Sequence, residues 1–149
     1  MKKLVTLTLI LLTVCSYAQI DTIYSKLSGP LGIVHNNNNI YVAEAYQDQI
    51  SKIDLNNPTD TPLVIASGVG TPNFMDISGS YLYYTSYNSG KISKVNFQSP
   101  SMSTTVLSGL QSPKDLLIVG NTLYYTDPYG ISKIDITSSS PTPVAVLTG

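Results

Sequence analysis

The sequence has few of the side chains on which catalysis and nucleic-acid binding depend. Its 149 residues include one cysteine, one histidine and no arginine, and only 11% of them are charged. Nucleic-acid binding needs a dense basic surface, so the lack of arginine and a formal net charge of −1 exclude that class of function. The sequence also lacks a Gly-x-Ser-x-Gly motif, a phosphate-binding loop, zinc-ligand spacing and an EF-hand pattern. This scarcity of reactive groups favours a binding or structural role.

The first 18 residues have the pattern of a secretory signal peptide. Lys2 and Lys3 precede an apolar run over 4–14, and a small-residue pattern ends at Ala18. The run is shorter than the roughly 20 residues of a membrane-spanning helix, so we predict no membrane span. Cleavage after Ala18 removes Cys15 and leaves six lysines against nine carboxylates, a net charge of −3. We therefore expect a protein that is secreted, periplasmic or on the cell surface and that has no disulfide.

The remaining sequence repeats itself three times, over about 29–69, 70–110 and 111–149. Each repeat has a proline near its start, a tyrosine eleven residues later and then an Ile-Ser-Lys motif. These positions are Pro30, Pro72 and Pro113; Tyr41, Tyr83 and Tyr124; and 50–52, 92–94 and 131–133. A period of about 41 residues, with short runs rich in Tyr, Val, Ile and Thr between Asn, Gly and Ser turns, is typical of four-stranded propeller blades.

In the second repeat the four strands are predicted over 74–77, 81–85, 91–97 and 104–107. The second strand of each repeat is apolar or aromatic at successive positions, as in 82–84 and 123–125. Continuous apolar strands indicate that both faces of the sheet are covered. Stacked blades provide that environment, so we expect most of the eleven tyrosines to pack between blades. No stretch after residue 19 has a sustained helical period, and we predict no helix there.

The segments 123–127 and 131–135, with the sequences Leu-Tyr-Tyr-Thr-Asp and Ile-Ser-Lys-Ile-Asp, resemble the repeat of YWTD-type propellers, with Tyr125 where that family has tryptophan. The segments 40–44 and 50–54 are equally similar to an NHL repeat. The resemblance covers 29–149 and implies the six-bladed propeller superfamily. It specifies the fold rather than a ligand, since such propellers host unrelated functions.

The number of strands predicts an incomplete ring. Thr22–Ser28 matches the fourth-strand segments that end the repeats, so we expect an all-β propeller domain over 19–149 with about three four-stranded blades and one N-terminal fourth strand. Propellers have four to eight blades. The domain is therefore expected to belong to a longer propeller or to self-associate through its open blade edges. Alone, it would expose two apolar faces and either associate or melt without cooperativity.

The tyrosines that follow the second strands are the candidate ligand-binding residues. Tyr46, Tyr87 and Tyr129 lie in predicted loops, where aromatic rings can stack on a partner or on a sugar. Glu44 and Asp127 occupy the position just after the second strand, and we add them to the candidate binding face. The corresponding residue of the second repeat is Ser86, so an acid is not required in every blade.

Carboxylates permit a second interpretation, a calcium site. Calcium takes six to eight oxygen ligands, and propellers similar to the gluconolactonase group hold a divalent ion with acids from different blades. By that resemblance Glu44, Asp76 and Asp115 would be the metal ligands. The structural alternative is that acids such as Asp54, Asp127 and Asp135 accept hydrogen bonds from turn N–H groups.

Three functions remain compatible with these features. The leading hypothesis is an exported, non-enzymatic propeller module that binds a protein, peptide or glycan and needs no cofactor. The alternative is a calcium-dependent lactonase or hydrolase of the gluconolactonase-like type. The third is a structural spacer within a larger surface protein.

The leader pattern makes one prediction that can be tested directly. N-terminal sequencing of the exported protein should start at Gln19, because the small residue at position 18 is the expected cleavage site. An intact Met1, or a lipid attached to Cys15, would contradict it.

Overall fold

The computed structural model describes residues 22–58, 61–100 and 102–148, so the predicted signal peptide lies outside the described residues. Within those three ranges the chain is all β and has twelve strands. They are β1 (Pro30–Asn36), β2 (Asn39–Glu44), β3 (Gln49–Asp54), β4 (Leu63–Ser67), β5 (Pro72–Ser78), β6 (Tyr81–Ser86), β7 (Lys91–Asn96), β8 (Thr104–Ser108), β9 (Leu116–Val119), β10 (Thr122–Asp127), β11 (Gly130–Asp135) and β12 (Val144–Thr148). A search of the described residues finds no helix that is both long and apolar enough to cross a membrane.

The strands form three four-stranded antiparallel sheets, one for each sequence repeat. Blade 1 contains β1–β4, blade 2 contains β5–β8 and blade 3 contains β9–β12, with the strands in chain order in each sheet. The register repeats too, because the second-strand tyrosine lies opposite the lysine of the Ile-Ser-Lys motif in every blade. These pairs are Tyr41 with Lys52, Tyr83 with Lys94, and Tyr124 with Lys133. The all-β, partial-propeller fold predicted from the sequence is thereby confirmed.

Residues that tolerate positive φ make the hairpins between first and second strands. Asn37 has φ of 51°, Gly79 of 59° and Gly120 of 60°. Most L-residues avoid this conformation, whereas Gly and Asn adopt it readily. The Asn and Gly residues between the apolar runs therefore close the hairpins as the sequence predicts.

Each blade has two apolar faces. The A face carries the tyrosine that pairs with lysine, and the B face is the opposite one. The A face of blade 1 packs on the B face of blade 2, and the A face of blade 2 packs on the B face of blade 3. The first interface contains Tyr41, Ala43, Ile50, Ile65, Ala66 and Val69 from blade 1 with Met75, Leu82, Tyr84, Val95 and Phe97 from blade 2. The second contains Tyr83 and Ile92 from blade 2 with Leu116, Leu123, Tyr125 and Ile134 from blade 3.

Polar contacts join the blades near their first strands. The strands β1, β5 and β9 lie side by side. The carboxylate of Asp76 in β5 accepts hydrogen bonds from the N–H of Ile77 and, across the blade boundary, from the N–H of Ile118, both at 2.7 Å. The hydroxyl of Thr85 in blade 2 donates to the carbonyl of Lys114, 2.6 Å away at the start of blade 3. These bonds set the lateral register of neighbouring blades, which apolar packing alone leaves free.

The N-terminal fourth strand expected over Thr22–Ser28 is not a strand in the structure, and residues 22–29 form no ladder. A fourth strand exists only by pairing with a third strand. The described third strands β3, β7 and β11 already pair with β4, β8 and β12. The segment 22–28 instead lies beside blade 1, attached at its end by the N–H of Ser28 to Glu44.

The inter-blade packing predicts a sharp contrast between two leucines. Leu82 is fully buried in the first interface, whereas Leu63 in β4 is exposed. Leu82→Ala should lower the free energy of unfolding by about 2–5 kcal/mol, because it removes buried methyl groups and leaves a cavity. Leu63→Ala, the same change in solvent, should alter it by no more than about 0.5 kcal/mol. Urea unfolding monitored by circular dichroism measures both, and equal effects would contradict the assignment of the core.

Candidate functional site

The three candidate tyrosines lie at one end of the blades. We call this end, where each first strand begins, the upper end, and the opposite end the lower end. Tyr46, Tyr87 and Tyr129 lie in the turns between second and third strands, and their side chains are 86%, 39% and 63% exposed. The sequence prediction that these rings lie in loops at corresponding places is consistent with their positions in the structure.

The backbone of each of these turns is held in place. The N–H of Tyr46 donates to the carbonyl of Ser28 at 3.3 Å, and that of Tyr87 to the carbonyl of Thr71 at 3.1 Å. The N–H of Tyr129 donates to the carboxylate of Asp127 at 2.8 Å. The ring of Tyr46 also lies against Gly29, where a Cβ atom would be 2.7 Å from the ring. The rings are therefore presented to solvent on ordered turns.

Asp127 acts on its own turn, as the structural alternative predicts. Asp54 and Asp135 do the same, accepting hydrogen bonds from the N–H groups of Asn56 and Thr137 at 2.9 and 2.8 Å. Such side-chain to backbone bonds two residues apart are the usual way in which aspartate orders a turn.

Glu44 is placed differently from its counterpart Asp127. It is only 3% exposed, at the end of β2. One carboxylate oxygen accepts hydrogen bonds from the Ser51 hydroxyl and the Gln49 amide, and the other accepts from the N–H of Ser28 at 2.9 Å. Glu44 thus joins blade 1 to the segment before it and does not lie on the exposed binding face.

The pKa of Glu44 reflects two opposing effects. Burial raises it, because a charged carboxylate loses its hydration. The hydrogen bonds from Ser51, Gln49 and Ser28 stabilise the charged form and outweigh burial, so the pKa lies below its ordinary value. The carboxylate is therefore charged at neutral pH.

A polar cleft of about 270 Å³ lies next to Glu44, between the segment 22–28 and blade 1. Its lining residues are Tyr24, Lys26, Leu27, Glu44, Gln47, Gln49, Ser51, Thr61, Pro62 and Val64. This cleft could not be predicted from the sequence, because its walls come from three separate stretches of the chain. The only sequence sign of it is Glu44 at a position where blade 2 has serine.

The three acids of the calcium interpretation do not come together. Both oxygens of Asp76 bind backbone N–H groups, as described above, and Asp115 accepts from the N–H of Leu116 at 2.8 Å. Over the described ranges, no group of three or more His, Cys, Asp or Glu side chains is arranged to hold a metal ion. Glu44, Asp76 and Asp115 therefore have structural partners here, and metal binding by them stays a prediction.

Two further polar interactions were not anticipated from the sequence. Asp48, which has φ of 55° in the turn of blade 1, accepts a hydrogen bond of 2.6 Å from the N–H of Thr71 at the start of blade 2. The ammonium group of Lys94 lies 4.7 Å from the ring centre of Tyr81 and 5.7 Å from that of Tyr83. The repeated Tyr and Ile-Ser-Lys motifs were the available sign of the second contact, since their spacing pairs them across the hairpin.

No protein-family model matches the sequence, and no curated protein matches it. The structure, in contrast, is similar to solved β-propeller proteins. One is a chain in the crystal structure of a nidogen/laminin complex, with a TM-score of 0.73, 23% identity, and coverage of 84% of this chain and 50% of that one. Another is hydrazine synthase from Kuenenia stuttgartiensis, with a TM-score of 0.70, 18% identity, and coverage of 89% and 40%.

A third is virginiamycin B lyase from Staphylococcus aureus, with a TM-score of 0.60, 16% identity, and coverage of 78% and 40%. This chain therefore spans half or less of each of the three solved chains. At these identities the likeness shows the β-propeller fold. The three proteins differ in function, as expected of a fold on which unrelated sites are built.

The hydrogen bonds of Glu44 predict a pH dependence of stability. A carboxyl whose pKa is lowered by folding stabilises the protein above the ordinary Glu pKa of about 4.3, and that contribution is lost as the pH falls through the lower, folded-state pKa. Glu44→Gln should lower the free energy of unfolding at pH 7 by about 1–3 kcal/mol, because its amide presents N–H groups to buried donors. The difference in the free energy of unfolding between Glu44→Gln and the native protein should become smaller as the pH is lowered.

Thermal unfolding at neutral and acidic pH measures this effect. Asp127→Asn, at the same repeat position but without buried partners, is the control and should change stability little at either pH. A Glu44→Gln effect that is the same at both pH values would contradict the charge-assisted bonding.

Proposed function

We propose that this chain is an exported, non-enzymatic β-propeller module that binds a protein through the turns at its upper end. The observation that carries the proposal is the repeated presentation of Tyr46, Tyr87 and Tyr129 on turns whose backbone is fixed by hydrogen bonds. Tyrosine is enriched at protein interfaces because it offers a large apolar ring with a polar hydroxyl.

The fixed backbone of these turns should increase the affinity with which the tyrosine rings bind a partner. A loop that is ordered before binding loses less conformational entropy when a partner docks, so more of the contact energy appears as affinity. The backbone bonds at Ser28, Thr71 and Asp127 provide that order. Asp127 therefore contributes by positioning Tyr129, and Glu44 by holding the segment that receives the N–H of Tyr46.

The structural neighbours support the proposal only in part. The neighbour with a TM-score of 0.73 comes from a complex of two proteins, nidogen and laminin, which is in keeping with a propeller as a protein-binding module. Virginiamycin B lyase is an enzyme with a similar fold. The fold alone therefore does not distinguish a binding module from an enzyme. The choice rests on the exposed tyrosines and on the structural partners of the acids. Export is inferred from the Lys2–Ala18 leader pattern, and membership of the six-bladed superfamily from the repeat motifs.

A library of displayed peptides provides a probe for the binding face, because selection finds the surfaces of a protein that accept peptide ligands. Peptides selected on the native protein should bind at least about tenfold more weakly to Tyr46→Ala, Tyr87→Ala or Tyr129→Ala, since a tyrosine at the centre of an interface contributes more than about 1.4 kcal/mol. Titration calorimetry with the synthetic peptides measures the change.

Tyr81→Ala is the matched control. Tyr81 has nearly the same exposure as Tyr87, 40% against 39%, but lies at the lower end of blade 2. It should leave peptide binding unchanged. Selected peptides whose affinity is insensitive to all three upper-end tyrosines would show that the binding face lies elsewhere.

A further inference from the structure

A second polar cleft, of about 230 Å³, lies at the upper end between blade 1 and blade 2. Its walls come from the end of blade 1 and from the B face of blade 2, so both blades that form it are present in the chain. Serine and threonine hydroxyls make up much of the lining, and among the described residues that line it only Lys91 is charged. The cleft is therefore hydrogen-bonding and carries positive charge.

This cleft and the one next to Glu44 occupy the same place in successive blades. Each lies where the second strand ends, beside the residues that precede the first-strand proline. Four positions correspond by strand register and by their distance from that proline, namely Glu44 and Ser86, Gln49 and Lys91, Ser51 and Ser93, and Ser28 and Gly70. Blade 1 therefore shows what these positions can bind.

In blade 1 these positions bind a carboxylate. The Ser51 hydroxyl and the Gln49 amide donate to one oxygen of Glu44. The N–H of Ser28 donates to the other oxygen at 2.9 Å. These bonds keep the carboxylate charged although Glu44 is only 3% exposed. Several donors aimed at one buried carboxylate are also what a site for an external carboxylate needs.

Blade 2 keeps the donors and replaces the carboxylate. Ser93 has the place of Ser51, and the ammonium group of Lys91 replaces the neutral amide, which strengthens the attraction for an anion. The residue at the position of the glutamate is Ser86, whose hydroxyl donates to the carbonyl of Val69 at 2.6 Å. Blade 2 thus has no carboxylate of its own at this position to receive the donors.

Gly70 brings a backbone N–H to the place that Ser28 has in blade 1. Its φ is 77°, a conformation that glycine adopts without strain. A Cβ atom at Gly70 would lie 3.7 Å from the Cβ of Ser86 and 2.6 Å from the hydroxyl oxygen of Ser89. The backbone of Gly70 therefore borders the cleft directly, beside the residue that replaces the glutamate.

Two further groups affect the charge of the cleft. Burial is the main cause of a raised pKa of Tyr84, which therefore stays uncharged at neutral pH, and its phenol bonds to Ser103 and Ser93. A hydroxyl can accept one hydrogen bond and donate another, so Ser93 can still donate to a ligand. The charge of Asp48 also raises the pKa of Tyr84, but the Asp48 carboxylate accepts a hydrogen bond of 2.6 Å from the N–H of Thr71.

We propose that the cleft of blade 2 binds an external carboxylate group, with the Ser93 hydroxyl, the Lys91 ammonium and the Gly70 N–H as its donors. Acidic side chains of a protein and sugar acids both carry this group. The site does not use the upper-end tyrosines, so it stands or falls separately from the proposed protein-binding face.

Titration with sodium acetate, followed by NMR of the 15N-labelled chain, tests the site. The amide signal of Gly70 should move to saturation with acetate and stay in place with sodium chloride at the same ionic strength. Lys91→Gln and Ser93→Ala should each bind acetate at least about tenfold more weakly, because each removes a hydrogen bond to a charged group. Lys133→Gln, which removes the same charge from an exposed position of blade 3, should bind acetate normally, as should Tyr129→Ala.

Ser86→Glu tests the comparison with blade 1. Its carboxylate should take the place of acetate, so that the Gly70 signal no longer responds. Since a buried carboxylate without donors is strongly destabilising, the melting temperature separates the two cases. Ser86→Glu should melt at a higher temperature than Ser86→Gln, which has the same size and no charge, and the reverse order would contradict the proposal. If neither variant folds, the Lys91→Gln and Ser93→Ala titrations decide.

The remaining probes identify the source of the carboxylate. Glucuronate that binds at least about tenfold more tightly than acetate would indicate a sugar acid, and N-acetylglutamate amide that does so would indicate an acidic side chain. Equal binding of all three would show recognition of the carboxylate alone. A Gly70 signal that responds equally to chloride, that does not respond to acetate, or that responds to sulfate and not to acetate would overturn the proposal.

Discussion

A four-stranded blade with two apolar faces needs a neighbour on each side, and the rest of this structure depends on that constraint. Blade 2 shows the constraint satisfied, since nearly every residue of β6 is buried, on one face against blade 1 and on the other against blade 3. The corresponding strand β10 of blade 3 is buried only at alternate positions, Leu123 and Tyr125. Between blades 2 and 3 the same repeat motif therefore gives different burial according to whether a neighbouring blade covers the face.

Polar side chains fix the relative position of neighbouring blades. Apolar contact is not directional, and it would allow blades to slide past each other. The carboxylates of Asp48 and Asp76 and the hydroxyl of Thr85 bind backbone groups of the next blade and so define one relative position. Several of the acids in this chain thus have structural partners. A separate set of hydrogen bonds, to Ser28, Thr71 and Asp127, fixes the backbone of the upper-end turns that carry the tyrosines.

The strands and the blades could be predicted closely, because each depends on local pattern. The second strand of blade 2 was expected over 81–85 and spans Tyr81–Ser86, and the third was expected over 91–97 and spans Lys91–Asn96. The first strand was predicted less well, over 74–77 against Pro72–Ser78. Its extra residues pair beyond a bulge between Pro72 and Met75, which apolar alternation does not reveal.

The sequence predicts only those parts of the candidate site that recur at the same position of each repeat. The turn tyrosines follow directly from the spacing, as do the aspartates that order their own turns. Glu44 could not be assigned correctly, because its environment is made by Ser51 across the sheet and by Ser28 sixteen residues earlier. Acids at equivalent positions, Glu44 and Asp127, have different roles for that reason.

Sequence alone determined that this protein is built from repeated four-stranded units with two apolar faces, since strand period, turn residues and repeat length are local properties. Tertiary structure alone decided which face meets which, which carboxylates are used to bind backbone groups, and which apolar residues remain uncovered. Those outcomes depend on groups far apart in the chain that meet only when blades stack. The identical motifs at Tyr41, Tyr83 and Tyr124 show the limit of sequence, because among the residues that the structure describes a blade packs against the first two tyrosines and not against the third.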